Sequence, residues 1–95
     1  MTLYDTLKKA KSLIKKGWIR GQAKKDGSYC SIGALYSANE DNYFISYDYL
    51  LKAVRRINKK KTLGIAGWND APQRTKKQVI RAFDVAISMA KKEGI

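Results

Sequence analysis

The chain has 95 residues, which is enough for one domain and excludes a second. Hydrophobic residues make up 44% and charged residues 29%, with one proline, so the composition is that of a folded globular chain. Twenty Lys and Arg against eight Asp and Glu give a formal net charge of +12, an excess that attracts polyanions.

The residue types that are missing exclude several kinds of chemistry. With no histidine, the chain has no Ser-His-Asp triad, no imidazole base and no histidine-containing zinc site. We therefore predict a non-enzymatic protein without cofactor or metal.

The single cysteine, Cys30, forms no internal disulfide and favours a reducing compartment. Because no apolar run approaches the ~18 residues of a bilayer span, we expect a cytoplasmic protein with no membrane partner.

The first predicted element is an amphipathic helix over residues 3–16. Its apolar residues recur at helical spacing, and its lysines fall on another stripe. Thr2 is the predicted N-cap, Asp5 completes a capping box, and Gly17 ends the helix.

A short β-ribbon is predicted over residues 18–30. It is closed at Asp26-Gly27, a dipeptide typical of two-residue hairpin turns. A short helix then follows over residues 31–38, in which Gly33 indicates a close packing contact.

The second half of the chain predicts a loop, two helices and a turn. Residues 39–44 are predicted as a loop, and Ser46 is the predicted N-cap of a helix that ends near Asn58. Residues 68–72 predict a turn. The last helix begins at its N-cap Thr75.

These elements predict a mainly helical fold. We expect a single small domain over residues 1–95 with three to four helices, alone or together with the short β-ribbon at residues 18–30.

Clusters of Lys and Arg lie away from the apolar stripe on the three longer predicted helices. If two such faces align, they form a continuous positive surface suited to phosphates; the alternative is a solvated, lysine-rich surface. The candidate binding residues, for nucleic acid or another partner, are Lys52, Arg55, Arg56, Lys59, Lys60, Lys61, Lys76, Lys77 and Arg81.

An aromatic cluster lies in the acidic region of the chain. Stacking platforms for nucleic acid combine aromatic residues with cations, whereas this cluster is combined with carboxylates. It therefore favours core residues with a protein-facing rim over a base-stacking surface. Its members are Tyr43, Phe44, Tyr47 and Tyr49, beside Glu40, Asp41 and Asp48.

Three segments together match a known pattern: Trp18 followed by Gly21, the string from Cys30 to Leu35, and the string from Trp68 to Thr75. The set resembles a family of small uncharacterised phage and actinobacterial proteins. Its members share Cys-x-x-Gly-Ala-Leu and Trp-Asn-Asp-x-x-x-Arg-Thr segments. The resemblance spans roughly residues 18–90 and implies a shared fold and a phage origin, but no activity. The lysine excess is not part of the family pattern.

The motif residues Trp68, Asn69, Asp70 and Arg74 have two interpretations. In the structural one, Asp70 caps a turn and pairs with Arg74, which pins the loop beneath Trp68. In the functional one, the same polar cluster lines a small pocket for a nucleotide or amide ligand. We prefer the structural interpretation, because turn and cap chemistry accounts for each residue. Cys30 is likewise interpreted as a small buried hydrophobic residue, since no histidine is present to activate its thiol.

The sequence thus predicts a small, basic, phage-derived accessory protein that binds DNA or RNA non-specifically. The alternative is a non-enzymatic inhibitor that binds a nucleic-acid-handling host protein, such as a CRISPR-type or restriction defence complex or a transcription enzyme. The sequence does not set the oligomeric state.

Overall fold

Five α-helices make up most of residues 1–59 and 64–95, the part of the chain that the computed structural model describes. A two-stranded antiparallel sheet lies between the first two helices, and a 3-10 helix precedes the third. The elements are α1 (Leu3–Lys16), β1 (Lys24–Lys25), β2 (Ser28–Tyr29), α2 (Ser31–Ala38), the 3-10 helix (Glu40–Asn42), α3 (Tyr43–Asn58), α4 (Ile65–Asp70) and α5 (Lys76–Glu93). The predicted class, mainly helical with a short ribbon, is confirmed.

Helix α1 packs mainly on α2 and α5, and α5 also packs on α3. The core between them contains the apolar stripes of all these helices, with Trp68 and Phe83 as its largest fully buried side chains. No helix of residues 1–59 and 64–95 is both long and apolar enough to cross a membrane.

The predicted capping boxes at the starts of α1 and α5 are both present. The Thr2 hydroxyl accepts from the Asp5 N–H at 3.0 Å, while the Asp5 carboxylate accepts from the Thr2 N–H at 3.4 Å. Thr75 and Gln78 make the same reciprocal pair on α5. These local bonds satisfy N–H groups that would otherwise have no partner, which is why the sequence predicts these helix starts correctly.

The hairpin turn is placed correctly by the sequence, but its strands are shorter than predicted. Asp26 (φ 51°) and Gly27 (φ 79°) both have positive φ, as in a two-residue type I′ turn. The turn pairs Lys25 with Ser28 and Lys24 with Tyr29, so the paired strands cover only part of the predicted ribbon over residues 18–30. The earlier residue Trp18 instead forms an isolated parallel bridge with Tyr29.

Two helix boundaries differ from the prediction. α3 begins at Tyr43, and Ser46 is a buried residue of that helix whose hydroxyl donates to the Tyr43 carbonyl rather than capping the first turn. Ile65 to Asp70 form α4, which includes the first three residues of the turn predicted over residues 68–72. Ile65 and Trp68, three residues apart, are both buried, and this burial stabilises a helix too short to form alone.

Gly33 is a close packing contact, as predicted. A Cβ atom added to Gly33 would clash with the carbonyl oxygen of Ala23, and neither group is a flexible side chain. The Ala23 carbonyl also accepts from the Cys30 N–H at 3.0 Å, which holds the end of the loop against α2. The ribbon is thereby attached to the first turn of α2.

Candidate functional site

A groove lies where the last part of α5 packs beside the end of α3. It has a volume of 810 Å³ and an apolar floor formed by Val85 and Met89. Four cations, one acid and one hydroxyl line the rest: Arg56, Arg81, Lys91, Lys92, Asp84 and Ser88. Asp84 is already paired with Lys11, whose ammonium lies 2.6 Å from its carboxylate. The groove is therefore strongly positive.

A second depression of 530 Å³ continues this positive region along α3. It is lined by Lys52, Arg55, Arg56 and Lys59, so Arg56 belongs to both. All four side chains are exposed. We call the cations of the two depressions together the basic surface.

A hydrogen bond between side chains helps to hold α3 and α5 side by side. The Tyr49 hydroxyl of α3 donates to the Glu93 carboxylate of α5 at 2.9 Å. This bond requires the neutral hydroxyl and raises the pKa of Tyr49 above its ordinary value. Glu93 is thus engaged with Tyr49, next to the cations at the end of α5.

The structure brings together part of the predicted set of cations. Arg81 of α5 shares a groove with Arg56 of α3, and Lys52, Arg55 and Lys59 adjoin it. Lys60 and Lys61 lie outside the described residues. Lys76 and Lys77 are in the first turn of α5, where the Lys76 ammonium donates to the Lys15 carbonyl at 2.7 Å. The described lining of the groove includes neither of them.

Sequence reasoning missed two cations of the groove, Lys91 and Lys92. Both side chains are exposed, and neither residue is among the candidates that the sequence analysis names. Helical spacing could have identified Lys92 as a site residue. It follows Arg81 by eleven residues, or three turns, so both lie on one side of α5.

Asn69, the middle residue of the Trp-Asn-Asp segment, is the centre of a buried hydrogen-bond network. Its Oδ1 accepts from Trp18 Nε1 at 2.8 Å and from the Ser31 N–H and hydroxyl at 3.0 and 2.7 Å. Its Nδ2 donates to the Ile19 carbonyl at 3.2 Å and to Asp70 Oδ1 at 2.9 Å. The amide therefore connects α4 to the loop after α1 and to the start of α2. Its hydrogen-bonding capacity is used inside the protein, which favours the structural interpretation.

The predicted pairing of Asp70 with Arg74 is wrong. The Arg74 guanidinium lies over the Trp68 ring, 4.3 Å from its centroid, and Nε donates to the Trp68 carbonyl at 2.7 Å. Burial lowers the pKa of Arg74. Asp70 instead accepts from the Gly21 N–H at 3.0 Å. The two side chains therefore have different partners, Asp70 in the loop after α1 and Arg74 in α4 itself.

The exposed Arg20 side chain contacts the residues that follow the Trp-Asn-Asp segment. Its guanidinium donates to the carbonyl oxygens of Ala71, Pro72 and Arg74, and it lies 4.7 Å from the centroid of the Trp18 ring. The sequence offered no specific sign of this role, because Arg20 is one of twenty basic residues and its partners are backbone atoms about fifty residues away.

The aromatic cluster is only partly core. Tyr49 is buried and Tyr43 and Tyr47 are half-buried, but the Phe44 side chain is 85% exposed. Tyr43 lies at the centre, with ring centroids 5.6, 5.5 and 6.1 Å from those of Tyr36, Phe44 and Tyr47. We call Tyr36, Tyr43, Phe44 and Tyr47, together with Glu40, Asp41 and Asp48, the aromatic–acidic patch.

Cys30 is half-buried and is the N-cap of α2, since its Sγ accepts from the Gly33 N–H at 3.3 Å. Among residues 1–59 and 64–95, no three Cys, Asp or Glu side chains group as metal ligands.

We expect Cys30→Ala to lower the free energy of unfolding by about 1 kcal/mol, the usual effect of losing an N-cap. Cys30→Ser should keep the stability, because the serine hydroxyl is a better acceptor. Urea unfolding of both variants checks this, and neither should change the binding of a labelled duplex. A folded Cys30→Ala variant that has lost its binding activity would show that the thiol has a functional role.

Comparison with known proteins places the chain in a family but not in a functional class. No curated protein and no solved structure was found to match it. The model of a family of unknown function, DUF6197, matches residues 1–89, which include the α3 cations of the basic surface and the Trp-Asn-Asp segment, but not Lys91 and Lys92. The chain therefore belongs to the DUF6197 family.

Proposed function

We propose that the chain is a non-enzymatic accessory protein that binds the phosphate backbone of DNA or RNA through the basic surface, without sequence specificity. The observation that carries the proposal is the convergence of Arg56 from α3 with Arg81, Lys91 and Lys92 from α5 in one groove. Cations from separate helices at one groove can contact several phosphates at once, whereas a lysine-rich helix that is only solvated needs no such convergence.

The chemistry of the surface favours phosphates over base edges. Its members are Lys and Arg side chains, and contacts from such groups to phosphates fix position without reading sequence. The aromatic residues that could stack on bases lie instead among Glu40, Asp41 and Asp48, which repel a phosphate backbone. The phage origin and the bacterial host cytoplasm as the place of action are parts of the same proposal and are supported by the sequence resemblance.

The proposal is tested by the salt dependence of binding to a labelled duplex. If about six phosphates are contacted, log K against log salt concentration should have a slope of about −5 on B-DNA. Duplexes of different sequence should give the same slope and affinity. A flat salt dependence would contradict the electrostatic mechanism.

The second candidate function is inhibition of a host protein, and the exposed Phe44 favours it. Phe44 is 85% and Tyr36 52% exposed, and both rings contact Tyr43, so they form a group of exposed aromatic side chains that is typical of a protein-binding surface. The two functions depend on different residues. If the wild-type protein does not bind duplexes, and Phe44→Ala loses binding to a host protein that the wild type binds, the inhibitor function is favoured.

A further inference from the structure

We propose that the aromatic–acidic patch binds an arginine of a partner protein, in a segment that has apolar side chains next to that arginine. The guanidinium lies on the Phe44 ring and pairs with the Asp48 carboxylate. This contact uses no residue of the basic surface. It therefore goes beyond the proposed binding of nucleic acid, does not depend on it, and gives the exposed Phe44 a partner of defined chemistry.

The first observation concerns the aromatic rings of the protein. Five rings have a Lys or Arg cation of the same chain over them, 4.3 to 5.3 Å from the ring centroid. These rings belong to Tyr4, Trp18, Tyr29, Tyr49 and Trp68. Of the rings without such a cation in residues 1–59 and 64–95, that of Phe83 is fully buried and the other four form the patch. The patch therefore has exposed rings that the chain itself does not cover with a cation.

The sequence explains why these rings have no cation of their own. Between Lys25 and Lys52 there is no Lys or Arg, while four of the eight acidic residues fall in that interval. Lys52, the first cation after the interval, lies over the Tyr49 ring at 4.9 Å. On a protein with a net charge of +12, the patch is thus a local region of opposite sign.

The carboxylates of the patch are exposed and unpaired. Within the described ranges 1–59 and 64–95, the only ion pair joins Lys11 to Asp84, so Glu40, Asp41 and Asp48 have none. The dipole of α3 favours the first two, which precede the helix, but Asp48 lies beyond its first turn. Helix capping therefore does not account for all three acids.

The rings of the patch form one group with exposed apolar surface. Tyr36 and Phe44 both pack edge-on against the half-buried Tyr43, at interplanar angles of 74° and 62°. Ile45, next to Phe44, is 45% exposed. Exposed apolar surface of this kind, rimmed by charged residues, is typical of a contact with another protein.

The chemistry of the patch selects an arginine. Asp48 follows Phe44 by four residues on α3, so their Cβ atoms are about 5–6 Å apart. A planar guanidinium can stack on the ring and donate to the carboxylate at the same time, whereas an ammonium is a compact and more strongly hydrated charge. The exposed Ile45 lies beside this position and can contact an apolar neighbour of the arginine. A phosphate, in contrast, is repelled by the carboxylates.

The net charge limits the rest of the partner. A charge of +12 repels a strongly basic protein and attracts a neutral or acidic one. The attraction of the patch for a guanidinium acts locally, within a Debye length of roughly 8 Å at physiological salt. The arginine therefore belongs to a partner that is neutral or acidic overall, which also disfavours a second copy of this chain.

The test is an NMR titration with a blocked peptide, Gly-Ser-Leu-Arg-Leu-Ser-Gly, in the absence of nucleic acid. A second peptide has citrulline, which is neutral and similar in shape, in place of the arginine. The arginine peptide should shift the backbone amide signals of residues 36–48 more than those of any other segment. It should bind about fivefold more tightly than the citrulline peptide, the effect of one exposed cation–π contact and one exposed ion pair.

Two variants test whether this preference arises at the patch. Phe44→Ala/Asp48→Asn should bind both peptides equally, because it lacks the ring and the carboxylate. Both residues are exposed, so this variant should unfold at a urea concentration close to that of the wild type. The control Asp26→Asn also raises the net charge by one and should keep the fivefold preference. Asp26 is exposed and has a positive φ, which asparagine adopts readily.

Several results would overturn the inference. Equal binding of the two peptides to the wild type is one, and a preference for arginine that Phe44→Ala/Asp48→Asn retains is another. Signal shifts concentrated outside residues 36–48 would place the arginine at a different site.

The other possible occupants of the patch give distinct results. A dimer of the free protein that Phe44→Ala abolishes would assign the patch to a second copy. A loss of duplex affinity in Phe44→Ala/Asp48→Asn would assign it to nucleic acid. Either result would overturn the inference. Failure of the wild type to bind a duplex contradicts the proposed function alone, because the peptide titration contains no nucleic acid.

Discussion

Replacement of Asn69 by Ala should lower the free energy of unfolding by about 4 kcal/mol, a large part of the roughly 5–15 kcal/mol that stabilises a domain of this size. The change removes the acceptor of Trp18 Nε1 and of both Ser31 donors. It also removes the donor to the Ile19 carbonyl. The buried Ser31 groups would then have lost the partner they share, and each unsatisfied group costs about 1–3 kcal/mol.

Urea unfolding of Asn69→Ala, Asn69→Asp and the control Gln73→Ala measures this. Asn69→Asp keeps an acceptor for Trp18 but replaces the Nδ2 donor with an oxygen that faces Asp70, so it should also destabilise the protein. Gln73 is an exposed amide near the same segment, and its removal should change the stability by less than about 0.5 kcal/mol. A loss below about 1 kcal/mol in Asn69→Ala would contradict the central role of this network.

The parts of the fold that the sequence predicts correctly are those with a local physical cause. The capping box of Thr2 and Asp5 and that of Thr75 and Gln78 join residues three apart. The positive φ angles at Asp26-Gly27 likewise follow from residue type alone. Such features act within one turn and need no knowledge of the rest of the chain.

Features that depend on tertiary contacts were predicted less well. α4 has six residues, too few for a stable isolated helix, and it is stabilised by burial of Ile65 and Trp68 in the core. Because the helix was predicted as a turn, Asp70 and Arg74 were expected to face each other. In the structure their partners are Gly21 and Trp68.

The same limit applies to the candidate site. The sequence shows that the three long helices each have a basic face, but not which two of these faces become neighbours. The packing of α5 on α3 brings Arg81 next to Arg56, while Lys76 and Lys77 are left at the other end of α5, near α1. Periodicity determines the face of a helix, and only packing determines its neighbour.

The double charge reversal Arg56→Glu/Arg81→Glu should weaken duplex binding by at least about tenfold near 0.1 M salt. It removes one cation from each wall of the groove and brings two carboxylates next to the phosphates. The slope of log K against log salt concentration should change from about −5 to about −3, since each lost phosphate contact removes about 0.9. The loss should be equal for all duplex sequences, because phosphate contacts carry no base information.

The matched control is Lys9→Glu/Lys16→Glu, which makes the same change of net charge on exposed positions of α1. If the basic surface is the binding site, this control should keep a slope near −5 and lose affinity only through the lower net charge. Both variants should unfold at urea concentrations close to that of the wild type, because all four side chains are exposed. An equal loss in the two variants would mean that binding depends on overall charge, and unchanged binding in Arg56→Glu/Arg81→Glu would place the site elsewhere.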